Sequence, residues 1–188
     1  MSTSATIRIL GIDPGSRITG WGVIEHSGNR SRCIDHGRIH LDDGELPERL
    51  LRIFTEVGQV IRDYQPQETA IEEVFVNRNV SSALVLGQAR GAAICALASA
   101  GLPVAEYAPA QIKSAVVGSG RAEKQQVQHM IKVLLNLTET PPTDASDALA
   151  VAVCHAHVRG TVIKTGEALR GSWSRAVTAR SINRNLKG

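Results

Sequence analysis

Hydrophobic and polar positions along the chain change period several times, and each change marks an element. Residues 6–13 hold Ile7, Ile9, Leu10 and Ile12 in a near-continuous apolar run, the pattern of a buried strand. Pro14-Gly15-Ser16 ends that run. Residues 19–26 (TGWGVIEH) read as a second strand, and the short turn between the two implies an antiparallel hairpin. Residues 31–41 alternate in character and predict a third strand. The period then becomes helical over residues 46–64, where Leu46, Leu50, Ile53, Phe54, Val57, Val60 and Ile61 form one stripe. Pro66 stops this helix, and residues 69–75 (TAIEEVF) give a fourth strand. A long helix is expected over residues 80–100, with small residues (Ala83, Gly87, Ala89, Gly91, Ala92, Ala93, Ala96) among larger apolar ones. Such a surface suits a close helix contact, within the chain or with a second copy. A fifth strand follows over 102–107, then helices over 108–116 and 122–135 separated by Gly118-Ser119-Gly120. The last strong helix spans 143–158, with Thr143 suited to an N-cap position after Pro141-Pro142. The order βββαβαβααα predicts an α/β fold with a mixed five-stranded sheet and helices on its faces.

Composition narrows the class. The 188 residues fit one domain, and 43% hydrophobic with 21% charged residues is a globular balance. Aromatics make up only 3%, so the core must rest on Val, Ile, Leu and Ala. No apolar run approaches the ~20 residues of a membrane span, and MSTSATIRIL lacks the layout of a secretory leader. Cys33, Cys95 and Cys154 lie far apart with no metal-ligand spacing, as expected of reduced thiols in a cytoplasmic protein. The net charge of +3 hides an asymmetry: residues 1–158 hold 14 Lys/Arg against 17 Asp/Glu, while 159–188 hold 7 against 1. Residues 1–158 are therefore expected to form the folded domain. Residues 159–188 are expected to form a basic, flexible tail that could attract phosphates.

Four acids fall where acids are out of place. Asp13 ends the first apolar strand, and Glu72 lies between Ile71 and Val74-Phe75, with Glu73 directed to the other face. Asp144 and Asp147 open the last helix at i, i+3 and so share a face. Each has a plain structural explanation alone: a turn residue, a paired strand acid, or first-turn acids favoured by the helix dipole. Together they are harder to dismiss, because buried unpaired carboxylates cost several kcal/mol each. Carboxylates without Cys or His at ligand spacing suit hard cations, Mg²⁺ or Mn²⁺. Four in one pocket could hold two ions ~4 Å apart, an arrangement that cuts phosphodiesters.

The segments LGIDPGSRITGWGVIE, AIEEVF, GQARG, VVGSGRAEKQQVQHM and DASDALAVA occur in an order and spacing that resemble the RuvC family of Holliday-junction endonucleases. The resemblance covers residues 7–158. It implies an RNase H-like fold, with Asp13, Glu72, Asp144 and Asp147 as catalytic, metal-binding acids. It further implies that Phe75 stacks on a base and that Lys113 and Lys124 contact DNA near the cut, with Arg78 and Arg90 as weaker DNA contacts. Expected partners are four-way junction DNA, a second copy of the chain, and the RuvA–RuvB branch-migration complex. An actin-like or sugar-kinase ATPase shares the G-I-D-x-G pattern, but those chains need a second Gly-rich phosphate loop that this sequence lacks. A junction-binding protein without catalysis is the remaining alternative.

Overall fold

The computed structural model describes residues 6–41, 43–74 and 80–165, with side chains to residue 161. Its elements run β1 (Ile7–Asp13), β2 (Ile18–Ser27), β3 (Arg30–His40), α1 (Leu46–Tyr64), β4 (Glu68–Glu72), α2 (Val80–Ser99), β5 (Val104–Tyr107), α3 (Pro109–Val117), α4 (Lys124–Leu134) and α5 (Thr143–Thr165). This is the expected order, with most ends moved by at most a few residues. The strands form one sheet in the order β3-β2-β1-β4-β5. The β1–β2 and β2–β3 pairs are antiparallel, whereas β1–β4 and β4–β5 are parallel.

Central position explains why β1 is apolar without a break. Ile9 packs into a core shared with α3, α4 and α5, and its neighbour Leu10 packs on the other face against α1 and α2. A strand covered on both sides has no solvent face, so its pattern is continuous rather than alternating. α1 presents Ile53, Val57, Val60 and Ile61 to the sheet. α2 buries mainly Ala89, Ala93, Ala96 and Leu97.

Three expectations shift. By length and composition α2 is apolar enough to cross a membrane, which the reading of short runs did not register; Arg90 at its centre is nonetheless ion-paired to Glu106 on β5. Thr143 is the first residue of α5 rather than its cap, since the Ser146 amide donates to the Pro142 carbonyl. The Thr143 hydroxyl instead accepts a hydrogen bond from Gln128 at 3.0 Å. Finally, α5 continues past residue 158 to Thr165, and the Arg159 guanidinium holds Glu68 at 2.8 Å. A tertiary contact extends the helix where its own apolar period has faded. Residues 166–188, most of the expected tail, lie outside the described residues.

Candidate active site

The strand pleat decides which acids meet. Ile12 and Ile71 are register partners, and both pack on the α1/α2 side. The next residue on each strand must face the other way. Asp13 and Glu72 therefore project side by side toward α5, from the carboxyl ends of adjacent parallel strands about 4.8 Å apart.

α5 crosses above them because β1 and β2 present glycine where it passes. A Cβ on Gly11 would stand 2.2 Å from the Ala148 carbonyl oxygen, and one on Gly20 would stand 2.0 Å from that of Asp144. Gly20 is the register partner of Asp13, so this gap seats the first turn of α5 beside Asp13. Asp144 and Asp147 then complete a group of four carboxylates drawn from three elements.

Burial and neighbouring negative charge raise three of these carboxyls, Asp13, Glu72 and Asp147. Burial, then the negative charges of Glu72, Asp147 and Asp144, push the Asp13 carboxyl well above the usual carboxylate range. Burial and Asp147 also raise Glu72, against a hydrogen bond with Asp13 and the charges of Lys124 and Lys113. Asp13 and Glu72 thus lie close enough for a side-chain hydrogen bond between them. Burial raises Asp147 despite its ion pair with Lys124, whose ammonium lies 2.7 Å from the carboxylate. Burial alone would lower Lys124, but Asp147, Asp13 and Asp144 outweigh it and raise it. Like charges gathered out of water hold protons and attract whatever cation is in reach. Here that cation is Lys124.

Among the described residues, no three His, Cys, Asp or Glu side chains have converged on metal-ligand geometry. The donor chemistry still fits a hard divalent ion: every candidate ligand atom is a carboxylate oxygen, and burial with neighbouring negative charge raises both Asp13 and Glu72.

Glu72, Asp147, Lys113 and Lys124 line a cleft of about 170 Å³, with Pro109, Ile112, Val127 and Ala150 as its apolar wall. The cleft thus joins Glu72 and Asp147 to both lysines, and Asp13 lies near enough to feel the charges of Glu72, Asp147, Asp144 and Lys124. Phe75 and Arg78 lie outside the described residues. Arg90 is not a solvated helix-end arginine: it is half-buried, its Nε donating to the Glu72 carbonyl at 3.0 Å. Sequence reading missed this contact, and the only signal was an arginine inside an otherwise uncharged helix. His155 lies buried between the Tyr107 hydroxyl (2.8 Å) and Glu68 (2.9 Å).

The mixed sheet, the helix crossing its central strands and the carboxylates at the strand ends define an RNase H-like nuclease. Residues 9–155 match the family model described as crossover junction endodeoxyribonuclease RuvC. The chain belongs to the RuvC family. It is 55% identical to the RuvC of Shewanella amazonensis, over 84% of this chain and 91% of the relative. It is 58% identical to that of Citrifermentans bemidjiense, over 81% and 93%. Among solved structures, Thermus thermophilus RuvC in complex with a Holliday junction substrate superposes with a TM-score of 0.78 at 34% identity, covering 82% of this chain and 96% of that one. The yeast mitochondrial Holliday junction resolvase shares the fold alone, with a TM-score of 0.60 at 13% identity.

Proposed function

We propose that this protein resolves four-way DNA junctions by hydrolysing two symmetry-related phosphodiester bonds, with Asp13, Glu72, Asp144 and Asp147 as its divalent-metal ligands. The observation that carries this reading is the β1–β4 register, which sets Asp13 beside Glu72 on the face covered by the first turn of α5. Mg²⁺ or Mn²⁺, two per site, would bind these oxygens; such ions supply positive charge for the phosphate and lower the pKa of water. Ions held there would take the place of the Lys124 ammonium as the positive charge beside Asp147. Lys124 and Lys113, on the rim of the same cleft, then face the DNA backbone as phosphate partners. Hydrolysis adds water to phosphorus and breaks one P–O bond, leaving a phosphate end and a hydroxyl end at a nick in each of two strands. Phe75, by the family resemblance, stacks on a base near the crossover, where each stacked base contributes ~1–3 kcal/mol, and Arg78 adds a backbone contact.

One chain supplies one site, so paired cutting calls for two copies related by a two-fold axis. α2 is suited to that contact, because it is apolar yet leaves Val80 63% and Leu84 64% exposed. Action with RuvA–RuvB is the corresponding cellular setting. The test offers a synthetic four-way junction to the protein with and without Mg²⁺. Mg²⁺-dependent paired nicks, lost in Asp147→Asn while junction binding survives, are the expected result. Binding without cutting in either Mg²⁺ or Mn²⁺ would reduce the protein to a junction-binding module.

A further inference from the structure

The four acids are reached from one side of the sheet, but one of them is also held from the other. The β1–β4 pairing extends to Ile12 and Ile71, so Glu72 stands one residue beyond it, at the last position of β4. On its far side the strand is fixed to β5, where the Glu73 amide donates to the Tyr107 carbonyl at 2.9 Å. Arg90 reaches this point from α2. Its Nε donates to the Glu72 carbonyl at 3.0 Å, and its terminal nitrogen is ion-paired with Glu106. Glu106 is the register partner of Ile71 on β5. One guanidinium therefore ties α2, β4 and β5 together at the backbone of a proposed metal ligand. Arg90 and Glu106 are only 20% and 16% exposed, so solvent screens this linkage weakly.

We infer that Arg90 is a positioning residue for Glu72: the Glu106–Arg90 pair fixes the peptide whose side chain must reach the metal. The inference rests on Glu72 being a ligand. Arginine suits the task because its fork can serve a carboxylate and a carbonyl at once, which a lysine ammonium does less well. Without it, the end of β4 is free to shift, and misplacement of a reacting group by about 1 Å lowers rates by about 10- to 100-fold.

The test uses Arg90→Lys and the double variant Arg90→Met/Glu106→Leu, which removes both charges together and leaves neither charge unpaired. Three quantities are read: Mn²⁺ affinity of the DNA-free protein by electron paramagnetic resonance, junction affinity without divalent metal, and single-turnover cleavage in Mg²⁺. For the double variant, Mn²⁺ affinity should fall about 10-fold and cleavage about 10- to 100-fold, with junction affinity unchanged. Arg90→Lys should lie between this and the parent. Unchanged Mn²⁺ affinity and cleavage would overturn the inference, as would junction affinity falling in step with cleavage, the mark of a merely structural role. Glu72→Gln is the reference: if it still cuts, the ligand assignment itself is wrong, whatever Arg90 does.

Discussion

Gly20→Ala is the sharpest single test of how the site is assembled. The added methyl would stand 2.0 Å from the Asp144 carbonyl oxygen and 2.5 Å from its carbonyl carbon, where ordinary contact begins at 3.4 Å. The obstacle is helix backbone rather than the end of a flexible side chain. The first turn of α5 must therefore retreat by about 1.4 Å, the shortfall between 2.0 and 3.4 Å. That turn carries Asp144 and, one residue group on, Asp147, so two of the four carboxylates retreat from the two on the strands. Overpacking of this kind costs about 1–3 kcal/mol, read as a melting temperature lower by roughly 2–4 °C per kcal/mol. Displacement of the acids by more than 1 Å should cost about 100-fold in cleavage. Cleavage of a junction under single-turnover conditions, well below the melting temperature, separates the two effects. Gly58→Ala in α1 is the control: its new Cβ meets only the tip of Arg62 at 3.4 Å, and removing a helix-interior glycine gains ~0.5–1 kcal/mol. Full activity and unchanged stability in Gly20→Ala would refute the claim that this close approach sets the site.

Other expectations follow from the same contacts. Asp13→Asn should abolish cutting yet raise the melting temperature of the metal-free protein near neutral pH. The raised Asp13 carboxyl opposes folding above its ordinary range; a variant no more stable than the parent would contradict this, and Mg²⁺ should narrow the gap. Glu68 is the opposite case: burial would raise it, but hydrogen bonds and charge from His155 and Arg159 prevail and hold it low. Its stabilisation is present above the unfolded-state value of 4.5 and fades as pH falls through the folded value. Glu68→Gln should therefore lower the melting temperature at about pH 7, with a difference that shrinks by about pH 4; a constant difference would sink the argument. Truncation after residue 165 should leave stability unchanged, whereas truncation after 158 should lower it by removing the Arg159–Glu68 contact. Equal melting temperatures for the two truncations would show that contact to be idle.

Local pattern was enough to set the elements and nominate the acids. β1 reads as a strand because its apolar run has no other use, and Asp13 stands out as a charge at the end of a buried segment. The spacing of Asp144 and Asp147 is a property of any helix. The family motifs then assigned the four acids a common role, and the comparisons bear out the family itself. Local pattern also had limits. The end of α5 was placed early because Arg159-Gly160-Thr161 carries no apolar period, and Arg90 looked like a surface charge because its partners, Glu106 and the Glu72 carbonyl, lie on other elements.

What the sequence determined by itself is therefore one-dimensional: which segments are strands or helices, and which carboxylates are too costly to be idle. What only the tertiary structure decided is convergence. Register places Asp13 beside Glu72, strand glycines let α5 descend on them, Lys124 supplies the nearby cation, and Arg90 ties the end of β4 to Glu106 of β5. Each of these is a contact between segments far apart in the chain, set by pleat, packing and charge in three dimensions, and no local period encodes it.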